Sequence, residues 1–102
     1  MNGVLLLITT ESNEKIAKNI AQLLVQKKLA ACVSIKSIYS IYKWEDDIEE
    51  AKEFEITIKT KPELKDDLIK FLQKNTSYEV PQILYKTFYA ESKYHDWIVK
   101  TI

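Results

Sequence analysis

Residues 29–60 read LAACVSIKSIYSIYKWEDDIEEAKEFEITIKT, and this stretch decides the fold. β-Branched and aromatic residues, among them Val33, Ile35, Ile38, Tyr39, Ile41, Tyr42 and Trp44, fill its first half. In its second half Phe54, Ile56 and Ile58 alternate with Glu53, Glu55 and Thr57, the period-two pattern of a strand with one buried face. Glu45, Asp46 and Asp47 stand between the halves as a turn. The stretch predicts one β-hairpin whose arms run about 40 Å at about 3.3 Å per residue. A chain of 102 residues folds to a radius of gyration of only about 13 Å, so the hairpin tip is expected to project from the body. A projecting strand pair that carries Tyr39, Tyr42 and Trp44 exposes unpaired edges and aromatic surface, which proteins normally cover with another subunit. Those three residues are the expected interface of an obligate oligomer.

On the N-terminal side, Val4 to Ile8 are consecutive aliphatic residues without alternation, which predicts a central strand buried on both faces. Ser12 or Asn13 can cap the next segment, where Ile16, Ile20, Leu23 and Leu24 share a face beside Ala17 and Ala21. This helix is expected to end near Lys27 and Lys28, whose charges suit a helix C-terminus. On the C-terminal side, Thr60 to Glu63 form a capping box with Pro62 in the first turn, and Leu64, Leu68, Phe71 and Leu72 supply the stripe of a second helix. Residues 76–81 read as a connection and Gln82 to Phe88 as a fourth strand. A short helix from Ser92 to about Thr101 is expected to bury Trp97 and Ile98. The order β-α-β-β-α-β is the split βαβ pattern of a ferredoxin-like α+β sandwich, with two helices on one face of an antiparallel sheet and its first and third strands in the middle. One domain, 1–102, is expected. The opposite face has only the short last helix to cover it, a second reason to expect oligomerisation.

Composition narrows the function. Hydrophobic residues make up 46% of the chain, enough for a core. Fifteen acidic residues balance fifteen basic ones, so no net field favours nucleic acid or an anionic membrane, and neither is expected as a partner. Every basic residue is Lys. Without Arg, bidentate clamping of phosphate or carboxylate is disfavoured, and kinase-like and acylphosphatase-like readings lose ground. Cys32 is the single cysteine and cannot form an internal disulfide. The N-terminus has no basic region followed by a full apolar segment, and no apolar run approaches the ~20 residues of a membrane span. A cytoplasmic location is expected. One His and one Cys assemble no Ser-His-Asp or Cys-His constellation, so an enzyme is not expected.

The blocks KKLAACVSI, SIYKWEDDIEEAKEFEITIKT, YEVPQI and YHDWI, in this order and spacing, resemble the CutA family of divalent-cation tolerance proteins over nearly the whole chain. The resemblance implies a ferredoxin-like homotrimer, similar in architecture to PII signalling proteins, whose long hairpins extend the sheets of neighbouring subunits. It departs from the family pattern in places. Asp46 and Asp47 stand where Gly and Lys are common, Lys43 where a second aromatic precedes the Trp, Thr76 and Ser77 where a His-Pro or His-Ser pair is common, and Gln82 where Glu is frequent.

The resemblance also implies a metal role, chiefly for copper or another divalent cation, with Cys32 as ligand and no obligatory cofactor. A thiolate suits soft ions such as Cu(I), although a lone strand cysteine is more often packing than ligand. Lys59 and Tyr78 are implied to lie around a cleft between subunits, where with Trp44, Glu53 and Trp97 they could form a small-ligand site; otherwise the tryptophans pack an interface and Lys59 pairs a carboxylate. His95 has no companions at metal-binding spacing and reads as a surface residue. The acidic run around the turn lacks the spacing and Gly of a calcium loop and reads as a solvated tip. The leading expectation is a non-enzymatic homotrimer serving divalent-metal tolerance by binding metal or reporting it. The alternative is a PII-like module that binds a small anion in the intersubunit cleft and signals to a partner protein.

Overall fold

The aliphatic run near the N-terminus becomes the inner strand β1 (Gly3–Glu11) in the computed structural model, which describes residues 2–102. Around it follow α1 (Glu14–Gln26), β2 (Cys32–Trp44), β3 (Asp47–Thr60), α2 (Lys65–Asn75), β4 (Leu84–Tyr89) and α3 (Ser92–Thr101). The sheet order is β2-β3-β1-β4 and every pairing is antiparallel, which is the ferredoxin-like arrangement. Leu5 and Leu7 of β1 and Ile56 and Ile58 of β3 meet Ala17, Ile20 and Leu24 of α1 and Leu68 and Leu72 of α2. These residues form the main core. On the opposite face α3 covers one end only, where Ile98 packs with Val4 and Ala31. Leu6 and Ile8, which alternate with the core residues of β1, are therefore half-buried rather than sealed. Among the described residues no helix is long and apolar enough to cross a membrane.

Local chemistry explains most element ends. Asn13 caps α1, its side chain accepting from the N–H groups of Lys15 at 2.8 Å and Ile16 at 3.2 Å. Lys28 then adopts a positive φ of 59°, and the Leu29 N–H returns to the Leu24 carbonyl at 2.9 Å, closing the helix end. The expected capping box does not form. Thr60 is the last residue of β3 and pairs with Leu5, which turns its side chain into the core, where its hydroxyl is buried without a partner. The chain instead makes one 3-10 turn at Pro62–Leu64, with the Leu64 N–H donating to Lys61 O at 3.0 Å, before α2 begins. The fourth strand begins two residues later than expected, at Leu84. Trp97 is also corrected: it is 47% exposed and stacks on Tyr94 with ring centroids 5.8 Å apart, while Ile98, one residue further round α3, faces the sheet.

The hairpin keeps continuous register from Cys32 opposite Lys59 to Trp44 opposite Asp47. Glu45 and Asp46 make the two-residue turn, with positive φ (56°) at Glu45. The molecule measures 46 × 24 × 22 Å and its radius of gyration is 14.4 Å, so the hairpin sets the long axis. Every residue from Ile41 to Glu50 is exposed. Tyr39, Tyr42 and Trp44, the expected interface, lie on this overhang.

Candidate functional site

Two carboxylates, Glu11 and Glu53, shape the surface beside the hairpin. Glu11 ends β1 on the core face, in period with Leu5, Leu7 and Thr9, and is fully buried. It accepts from the Ser77 N–H at 2.9 Å, from the Ser77 hydroxyl, and from the Ser12 N–H at 3.1 Å. These bonds fasten the start of the connection after α2 to the end of β1. One residue on, the Tyr78 hydroxyl donates to Glu53 at 2.5 Å and carries the connection across to the opposite face of the sheet. Glu53 shares that face with Tyr42, Trp44 and Glu49, because the register places Ile38 opposite Glu53, Tyr42 opposite Glu49 and Trp44 opposite Asp47.

A cleft of about 600 Å³ lies between the hairpin and this connection. Tyr42, Trp44, Glu49, Glu53, Tyr78 and Glu79 are among the residues that line it. Burial pushes the Tyr78 phenol well above its ordinary value, and the hydrogen bond to Glu53 and the charges of Glu53 and Glu11 push it further in the same direction. The phenol is therefore a fixed donor at neutral pH. No lysine lines the cleft, so its electrostatic character is acidic.

Of the residues expected around a ligand cleft, Trp44, Glu53 and Tyr78 come together in one chain. Lys59 does not join them: it sits on the same face of β3 but six residues from Glu53, about 20 Å along the strand. Trp97 lies on α3 with Tyr94. Cys32 is half-buried and stands opposite Lys59 at the base of the hairpin, on the face away from α1 and α2, while the Ala31 N–H donates to Lys59 O at 2.9 Å. Among the described residues no group of three or more His, Cys, Asp or Glu could hold a metal ion within one chain. His95 is partly exposed, with Nδ1 3.8 Å from the Asp96 carboxylate. At the acidic stretch of the hairpin, Glu55 pairs with Lys36 at 3.6 Å. Glu11 and Glu79 escaped the sequence reading, and Glu49 was read only as part of the solvated acidic run at the hairpin tip. The period-two continuation of β1 signals that Glu11 is buried, but nothing local signals its partner 66 residues away.

A family model described as CutA1 divalent ion tolerance protein matches residues 5–101. The chain belongs to this family. The divalent-cation tolerance protein CutA of Archaeoglobus fulgidus is 38% identical over 96 residues, covering 93% of each sequence. Protein CutA of Mus musculus is 45% identical over 73 residues, which are 71% of this chain and 41% of that protein. The chain thus spans less than half the length of this mouse CutA protein. The CutA structure from Synechococcus elongatus superposes with a TM-score of 0.94 at 38% identity, covering 99% of this chain and 91% of that one. The CutA fold, with its long hairpin, is the fold of this chain. The family model and the Archaeoglobus relative are both described by divalent-cation tolerance.

Proposed function

We propose that the protein is a non-enzymatic homotrimer that serves tolerance to divalent metal, chiefly copper, in the cytoplasm, with Cys32 as a metal ligand. The observation that carries this reading is the place of Cys32: a free, half-buried thiol at the base of the hairpin, on the sheet face away from α1 and α2 and next to Ala31, against which α3 packs. A thiolate is a ligand for soft ions, and a cytoplasmic setting keeps it reduced. One sulfur makes a poor site, so copies of the chain must converge their thiols or add other donors.

Surface area supports self-association. A folded chain of 11.9 kDa is expected to expose about 5,950 Å². This one exposes 6798 Å², an excess of roughly 850 Å², near the ~800 Å² each partner contributes to a standard interface. Leu84 and Phe88 of β4, which share the uncovered face with Leu6 and Ile8, are 60% and 48% exposed and account for part of it.

Native mass spectrometry of the reduced protein, with one equivalent of Cu(I) per chain, tests both halves of the proposal. The expected result is a trimer that takes up copper, and loss of that uptake in Cys32→Ser. Equal uptake by the variant removes Cys32 as the ligand. The alternative, a small anion bound in the intersubunit cleft near Lys59, has less support, because the cleft within the chain carries glutamates and lacks lysine.

A further inference from the structure

We infer that Ser77 and Tyr78 form a two-sided latch on the residue 76–83 connection: release of Tyr78 from Glu53 on one face of the sheet also releases Ser77 from Glu11 on the other. This goes beyond the metal reading and does not depend on Cys32.

The connection is anchored at its two ends and latched near its start. At one end the Thr76 N–H donates to Leu72 O at 3.0 Å, and at the other Ile83 packs against the main core. Among the described residues no backbone–backbone hydrogen bond reaches 77–83, because the ladder of β4 begins only at Leu84. Glu79, Val80 and Gln82 are exposed. Ser77 and Tyr78 therefore supply the hydrogen bonds that fix this segment to the sheet.

Their positions make the two bonds interdependent. β1 ends at Glu11 opposite Phe54, so Glu53, the neighbouring residue of β3, lies just past the end of β1 and on the other face. The connection crosses that end with consecutive residues pointing opposite ways, Ser77 to Glu11 on the helix side and Tyr78 to Glu53 on the far side. While either bond holds, the other pair stays within reach, an effective concentration that a free loop lacks. When Ser77 leaves, the fully buried Glu11 loses both of its donors on that residue and keeps only the Ser12 N–H. A carboxylate short of donors inside a core is costly. The segment thus has two favoured states, both bonds made or both open with water reaching Glu11. A change at Glu53, on the face where the subunits are proposed to meet, is thereby felt at Ser12, ahead of α1 in the helix layer.

Hydrogen exchange measured by NMR on the full, assembled protein tests this coupling. The Ser77 amide is the reporter, because it donates to Glu11 and not to Glu53. Tyr78→Phe is expected to speed its exchange at least about tenfold, at a rate that stays flat in dilute urea, as a local opening requires. Tyr85→Phe, which removes a phenol on β4, is expected to leave that rate unchanged. In urea midpoints, Ser77→Ala is expected to cost less in the Tyr78→Phe background than in the native chain. Glu11 stays in place in every variant, and unchanged amide shifts along β1 check that the fold is kept. Native Ser77 exchange in Tyr78→Phe overturns the proposal, and is the result if a neighbouring subunit holds the segment down. Full additivity of the two substitutions also overturns it, since the bonds are then independent. So does a Ser77 rate in Tyr78→Phe that climbs with urea, which ties the exchange to global unfolding. None of these results bears on copper uptake at Cys32, so the two readings fail separately.

Discussion

The Tyr78 phenol couples one residue to the stability of the whole connection beside the cleft. Burial first, and then the Glu53 hydrogen bond, raise its pKa above the unfolded value of 10.0. The protonated phenol is thus favoured by folding. Its contribution is complete below about pH 10 and is lost as pH rises through the higher folded value, because the unfolded chain releases the proton first. Urea midpoints measured from about pH 9 to about pH 11 are expected to fall more steeply in the native protein than in Tyr78→Phe. Equal slopes would mean that the phenol does not titrate differently on folding. At neutral pH Tyr78→Phe leaves Glu53 without its donor and is expected to cost about 1–3 kcal/mol. Trp44, Glu53 and Tyr78 were recognisable as a group because the sequence resembles a family. The bond between residues 53 and 78 was not, since no periodicity joins a strand to a loop that far away.

At the scale of elements, the start of α2 separates two readings of the same four residues. If Thr60 capped the helix, its loss would cost about 1 kcal/mol. Its hydroxyl is instead buried and unpartnered at the end of β3. Thr60→Val, which keeps the shape and removes the orphaned polar group, is expected to leave the urea midpoint unchanged or raise stability by up to about 1 kcal/mol. The hairpin turn offers a second check. Glu45 holds a left-handed backbone that an L side chain resists, so Glu45→Gly is expected to stabilise the protein by up to about 1 kcal/mol in the same assay. A loss of stability would show that the glutamate side chain contributes more than its backbone strain costs. The strand and helix types were readable from periodicity alone. Their ends were not, because the end of β3 is set by its pairing with β1 rather than by the side chains at Thr60 to Glu63.

For the whole molecule, the decisive feature is a sheet with one face covered by α1 and α2 and the other covered by α3 at one end only. Ile8, half-buried on that second face between Thr57 and Leu84, is the residue through which the proposed trimer is best tested. Ile8→Glu sets a charge there and is expected to shift the sedimentation mass from trimer to monomer. Leu23→Glu, on the outer surface of α1, is expected to leave the mass unchanged. If Ile8→Glu remains trimeric, the subunits associate through the hairpin edges alone.

The sequence by itself determined the element order, the central place of β1 and the length of the hairpin, because these follow from periods of two and 3.6 residues and from strand length against domain size. Tertiary structure alone decided that Glu11 holds Ser77, that Glu53 holds Tyr78, that Lys59 stands far from both, and that Trp97 faces outward. The physical reason is that a side-chain pair across 25 or 66 residues depends on where a loop crosses the end of a sheet. That crossing is set by the summed packing of the helices on the strands, and no local stretch of sequence encodes it.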